Sequence, residues 1–151
     1  KMAPQLEGAE YVVQRQLKPV ARLDVVHELA DKKVLPTAMI DISDGLASEL
    51  FHICTKSGVG VTIYDEFLPK EEEVKKIAFD LGLDSSTCVL NGGEDYELLF
   101  TINKEDADTM QELYDVTVIG EITEEKEGLN LVTKAGNKYE LQAQGWNHFK
   151  D

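Results

Sequence analysis

Residues 37–46 read TAMIDISDGL: a short apolar stretch from Thr37 to Ile40 runs into Asp41-Ile42-Ser43-Asp44-Gly45-Leu46. The first part has the character of a buried strand. From Leu46 the apolar residues recur as Leu46, Leu50, Ile53 and Cys54, which is one face of a helix. That helix reaches Ser57 and stops at Gly58, where glycine supplies a left-handed cap. A strand that becomes a helix across a few polar residues sets the frame for the rest of the chain.

Towards the N-terminus, Glu10 to Leu17 predicts one or two helical turns, stopped at Lys18-Pro19 because the residue before proline is pushed out of the helical region. Arg22 to Val34 predicts a helix with Leu23, Val26, Ala30 and Val34 on its inner face, terminated by Leu35-Pro36. Towards the C-terminus, Val59 to Tyr64 reads as a strand. Glu71 to Leu81 then reads as a helix with Val74, Ile77, Ala78 and Leu81 inward, glutamates in its first turn and Gly82 as its cap. Tyr96 to Ile102 is the most apolar strand, introduced by the Gly92-Gly93 break, and Asn103 caps a helix to about Tyr114. Val116 to Thr123 alternates like a strand, and Leu129–Thr133 with Lys138–Leu141 forms a hairpin around Ala135-Gly136-Asn137. The mixture, with at least one antiparallel hairpin, predicts an α+β fold in which helices pack on a mixed sheet.

At 151 residues the chain has room for one domain, and 42% hydrophobic content with 29% charged residues is that of an ordinary globular chain. Fifteen Lys and Arg against 29 Asp and Glu leave a net charge of −14. Such a field repels phosphodiester backbones and anionic headgroups, which excludes nucleic-acid and membrane-surface partners. If the substrate is itself a phosphate, divalent cations must stand between it and these carboxylates. No apolar run is long enough for a membrane span and no signal peptide is visible, so a cytoplasmic protein is expected. Cys54 and Cys88 have no His or Cys neighbours at metal-ligand spacing and read as buried free thiols. Lys1 is not an initiator residue, which predicts a fragment of a longer polypeptide.

Three segments carry the polar chemistry. In Asp41-Ile-Ser-Asp44-Gly-Leu, the free N–H groups of a helix start attract an anion, and Asp41 and Asp44 can hold a hard cation bridging to the same phosphate oxygens. The competing reading makes these residues helix caps, with Asp41 or Ser43 accepting backbone N–H bonds. In Asn91-Gly-Gly-Glu94-Asp95-Tyr-Glu-Leu, the double glycine lets backbone approach a ligand, and the acids can accept from an amine or bind a metal's water shell. A plain turn with solvated acids is the alternative. In Gly145-Trp146-Asn-His-Phe149, the Trp either stacks on a flat heterocycle or pins the tail to the domain. His27, His52 and His148 have no zinc-site spacing, and neither a phosphate loop nor a nucleophile elbow is present.

Taken in order, the DISDGL, GGEDYEL and GWNHF segments resemble the C-terminal half of thiamine-monophosphate kinase, a family of the aminoimidazole ribonucleotide synthetase superfamily. The resemblance runs from about Gln14 to Phe149 and includes Val118-Ile-Gly-Glu-Ile122. It implies residues 1–20 as a connector from an N-terminal ATP-binding domain and residues 21–151 as a C-terminal substrate- and metal-binding domain. The implied activity is transfer of the ATP γ-phosphate to thiamine monophosphate, with several magnesium ions, in a homodimer whose site lies between the two domains. Asp41 and Asp44 would bind magnesium, Ser43 would contact ATP, Glu94 would contact thiamine monophosphate and Trp146 would pack on its rings, with Asp95 and Phe149 as second candidates. No catalytic base is implied, because a phosphate monoester is already largely dianionic near neutral pH. Lacking the N-terminal half, the chain alone is expected not to turn over. Two alternatives remain: another ATP-dependent enzyme of the superfamily, and a non-catalytic acidic domain that binds metal or protein.

Overall fold

A computed structural model describes residues 9–113 and 115–142. Its elements follow the expected order closely at the start. Helix α1 spans Glu10–Leu17, α2 Leu23–Asp31, strand β1 Ala38–Asp41, α3 Leu46–Ser57 and β2 Val59–Tyr64. Then come α4 (Glu72–Asp80), α5 (Ser85–Asn91), β3 (Leu98–Thr101), α6 (Ala107–Met110), β4 (Gly120–Glu124), β5 (Leu129–Val132) and β6 (Lys138–Glu140).

The architecture is α+β, with a two-stranded antiparallel ribbon β1–β3 and a four-stranded mixed sheet ordered β4-β2-β5-β6. Strand β2 is the centre of that sheet: β4 runs antiparallel on one side and β5 parallel on the other, joined by a single 3-10 turn at Glu125–Glu127. Val61 and Ile63 of β2 are buried on one face and Thr62 on the other. The β5–β6 hairpin pairs Leu131 with Tyr139, as its Ala-Gly-Asn turn predicts.

Helix α3 organises the interior. Seven of its twelve residues are buried, and Leu46, Ala47, Leu50, Ile53 and Cys54 meet Val61 and Ile63 of β2, Leu90 of α5 and Leu99 of β3 in one core. Gly58 closes it with φ +64°, as expected. Val25, Leu29, Val34, Met110 and Leu113 make a second, smaller core on the far side of the ribbon, against Leu98 and Phe100. Leu99 points one way and its neighbours the other, so the alternation of β3 joins the two cores.

Four local expectations are corrected. The inner face of α2 is Val25 and Leu29; Leu23 and Val26 are exposed. In LDVVHELA both registers satisfy helical spacing, and only the partners from Met110 and Leu113 choose between them. Strand β1 is half exposed, with Met39 in solvent, because its ribbon has only two strands. Of the α4 stripe only Ala78 is buried, while Leu81 is exposed. The helix after Asn103 is a 3-10 turn followed by a single α-turn ending at Met110, and the strand that follows begins only at Gly120. Cys54 is buried and Cys88 half-buried, both as free thiols. No helix among the described residues is long and apolar enough to cross a membrane.

Helix α5 was not anticipated from periodicity; it is set by its cap. Asp84 accepts the Thr87 N–H at 2.9 Å and faces the Thr87 hydroxyl at 3.2 Å. This helix carries the chain to Asn91-Gly92-Gly93. Asp84→Ala should cost about 1 kcal/mol in urea unfolding, and Asp84→Asn should recover most of it.

Candidate functional site

The two motifs around Asp44 and Glu94 lie side by side because the β1–β3 ladder continues past its last strand pair, Asp41 with Leu98. Ile42 N–H donates to the Glu97 carbonyl at 2.8 Å, Tyr96 N–H to the Ile42 carbonyl at 2.9 Å, and Glu94 N–H to the Ser43 carbonyl at 2.8 Å. Segments fifty residues apart in sequence thus form one loop pair at one end of the ribbon. Gly93 permits the approach: a Cβ there would stand 2.5 Å from the Ser43 carbonyl oxygen. Gly45, at φ +115°, turns the chain into α3 against the backbone of Leu90 and Asn91.

On the DISDG side, the helix-cap reading fails. The residue at the start of α3 is Gly45, with no side-chain cap. Ser43 instead donates its hydroxyl to Glu49 Oε1 at 3.2 Å, and the same oxygen accepts the Asp44 N–H at 3.1 Å. Glu49 is 2% exposed. It holds the turn from beneath, inside the helix, and leaves Asp41 and Asp44 free of side-chain hydrogen bonds and ion pairs with the described residues. Both carboxylates are exposed.

No group of three or more metal-ligating side chains occurs among the described residues. Two exposed carboxylates do not make a closed cage, but magnesium keeps several waters and is held by one or two carboxylates together with substrate phosphates. Asp41 and Asp44 fit that donor set, and the start of α3 beside them suits the phosphate.

The GGEDYEL side is a strained loop. Glu94 and Tyr96 both have left-handed backbone, at φ +64° and +52°. Non-glycine residues hold such angles only where the surroundings over-determine them. Burial pushes the Asp95 carboxyl up, Glu97 adds to that, and Arg15 opposes it. Glu97 is gripped by Arg15 and by Arg22, the latter at 2.5 Å. Arg22 also reaches Asp24 at 2.9 Å and Asp115 at 3.1 Å, and the Asp24 and Glu97 carboxylates push its guanidinium pKa further up. Gln16 Nε2 donates to Glu94 Oε2 at 2.8 Å.

Asp41, Ser43, Asp44, Glu94 and Asp95 are therefore brought together, whereas Trp146 and Phe149 lie outside the described residues. Glu49, Arg15, Gln16, Arg22 and Glu97 were not foreseen. One signal was available for Glu49: it falls three residues after Leu46 and four before Ile53, so it is a charged residue on the apolar stripe. The ion pairs to Glu97 span 75 and 82 residues and leave no local signature. Beside Asn91, a shallow pocket of about 220 Å³ is lined by Ala47, Leu90, Leu131, Tyr139 and Leu141. It is smaller than pockets that enclose a whole small-molecule ligand, about 300–1,000 Å³.

Because the folded state holds Asp95 above its ordinary value of 3.8, folding favours its protonated form. Stability contributed by this group is lost as pH rises through the window above 3.8. Asp95→Asn should therefore melt higher than the parent sequence at pH 7, with the difference closing as pH falls below the ordinary value.

Residues 4–131 match the family described as AIR synthase related protein, C-terminal domain. The chain is 37% identical over 138 residues to thiamine-monophosphate kinase of Aquifex aeolicus, covering 91% of this chain and 41% of that one. It is 36% identical over 146 residues to thiamine-monophosphate kinase of Salmonella typhimurium, covering 93% and 43%. Among solved structures, AaThiL complexed with AMPPCP and TMP superposes with a TM-score of 0.76 at 35% identity, over 99% of this chain and 43% of that one. The chain thus spans 41–43% of the length of these relatives. With fold and sequence in agreement, the chain belongs to the family of AIR synthase related C-terminal domains.

Proposed function

We propose that this chain is the C-terminal part of an ATP-dependent kinase that phosphorylates thiamine monophosphate to thiamine diphosphate. The observation that supports the reading is the joining of DISDG to GGEDYEL through backbone bonds at Ile42 and Ser43, which brings the two acidic segments side by side. The names of the relatives, and AMPPCP and TMP in the solved complex, supply the substrates.

Residues 1–20 are the connector to an ATP-binding domain, and residues 21–151 bind acceptor and metal. Asp41 and Asp44 hold magnesium, which neutralises charge between the two anionic substrates. Ser43, oriented by Glu49, contacts ATP. Glu94 accepts from the cationic or amino-bearing heterocycle, and Trp146 packs on its rings. A dianionic acceptor oxygen attacks the γ-phosphorus in line as the bond to the β-phosphate oxygen breaks, and ADP leaves. No residue need take a proton, so alignment and charge neutralisation are the whole task. A donor set of only two exposed carboxylates suits a site completed by another domain. The enzyme works in the cytoplasm as a homodimer.

The full-length polypeptide, incubated with ATP, magnesium and thiamine monophosphate, should yield thiamine diphosphate by chromatography, while residues 1–151 alone should yield none. Product formed from another phosphate or carboxyl acceptor would replace this reading with a different enzyme of the superfamily. In the full-length protein, Asp41→Asn and Asp44→Asn should each lower kcat/KM about 100-fold, the scale of losing a charge-stabilising group at the reacting centre. Melting should stay near that of the unsubstituted protein, because both side chains are exposed. Unchanged activity in both would indicate a non-catalytic acidic domain.

A further inference from the structure

The proposed chemistry leaves α1 unused, yet α1 is fastened to the GGEDYEL loop at two points. Arg15 is paired with Glu97, and the adjacent Gln16 donates to Glu94. Arg22, past the Pro19 break, grips Glu97 through its other oxygen. Arg15 and Gln16 of the connector segment, with Arg22 just beyond it, thus hold two acids that stand three positions apart in one loop.

Main-chain bonds to Ile42 and Ser43 fix where the Glu94 backbone lies, but they do not fix its carboxylate. Glu94 is exposed, and an exposed glutamate samples several rotamers. Gln16 selects one of them by occupying Oε2, which leaves Oε1 for a ligand. Arg15 and Glu97 in turn hold the helix that carries Gln16. An exposed hydrogen bond of this kind adds little to stability. Its effect is on direction.

We infer that Gln16, steadied by the Arg15–Glu97–Arg22 cluster, is a positioning residue that aims the Glu94 carboxylate at the cationic heterocycle of the acceptor. The inference rests on the kinase reading for the identity of that acceptor. It makes α1 part of the acceptor site, so that the segment leading into the domain also sets acceptor affinity.

The test uses the full-length polypeptide with Gln16→Ala and Gln16→Glu. The first removes the donor, and the second sets a carboxylate against Glu94. The KM for thiamine monophosphate should rise about five- to tenfold in Gln16→Ala, the scale of one ordinary net hydrogen bond, and further in Gln16→Glu. The KM for ATP and kcat should stay within about twofold, and melting temperatures should be unchanged, which a structural role would not produce. An active parent whose acceptor KM is the same in both variants overturns the positioning role alone. So does a joint rise in both KM values with a lowered melting temperature. A parent that makes no thiamine diphosphate overturns the kinase reading, and with it the acceptor assigned to Glu94.

Discussion

The Ser43 carbonyl is the point on which the site depends. It accepts the Glu94 N–H and lies against Gly93 so closely that any side chain there would have to displace it. Without that contact the ladder would end at the Ile42 bonds to Glu97 and Tyr96, and Glu94 would be untied from the turn into α3. With it, the turn into α3 and the entry into β3 become one rigid unit, built on backbone hydrogen bonds rather than on mobile side chains. The buried Glu49 completes this unit from below, because Asp44 N–H and the Ser43 hydroxyl would otherwise have no acceptor inside the domain. A carboxylate buried among neutral donors is costly. Its retention under the turn has a reason if the turn must keep one shape while exposed acids above it handle charged ligands.

Strain and burial are concentrated on the other side of the same unit. Glu94 and Tyr96 adopt left-handed backbone, and Asp95 between them is kept where its charged form is disfavoured. Each of these features works against the stability of the isolated fold. They are held in place by the core beneath, where α3 packs Leu46, Ala47, Leu50 and Ile53 onto β2, and by the ion pairs of Arg15 and Arg22 at the edge. The division is physical: apolar burial supplies the stability, and the polar rim spends part of it on geometry.

Much of this was legible in the sequence where local rules suffice. The α3 stripe, its Gly58 cap, β2 and the β5–β6 hairpin follow from period and turn chemistry, and the observed bounds agree nearly to the residue. Three kinds of feature were not legible. The inner face of α2 depends on Met110 and Leu113, which are some eighty residues away. Helix α5, at seven residues, is too short to show a period, and only Asp84 marks it. The pairing of Arg15 and Arg22 with Glu97 rests on long-range approach that no spacing encodes. The acids of the two motifs stand out in the sequence, whereas of the groups that orient them only Glu49, on the apolar stripe of α3, left a signal.

That asymmetry has a physical cause. Residues that touch phosphate or metal must project from turns, and turns have strong local signatures of glycine and aspartate, so DISDG and GGED stand out. Residues that aim those groups act at a distance, from a helix face or a connector, and their sequence environment is ordinary. In this chain α1 is fastened to the GGEDYEL loop through Arg15 and Gln16, and Arg22 at the start of α2 reaches the same loop. A net charge of −14 adds a second constraint, since anionic substrates can approach such a surface only with cations. On the proposed reading, exposed Asp41 and Asp44 beside a helix start with no side-chain cap would be the place for those cations and the phosphate together. On the proposed reading such a domain would gain little by closing a pocket of its own, because the phosphate would arrive with another domain.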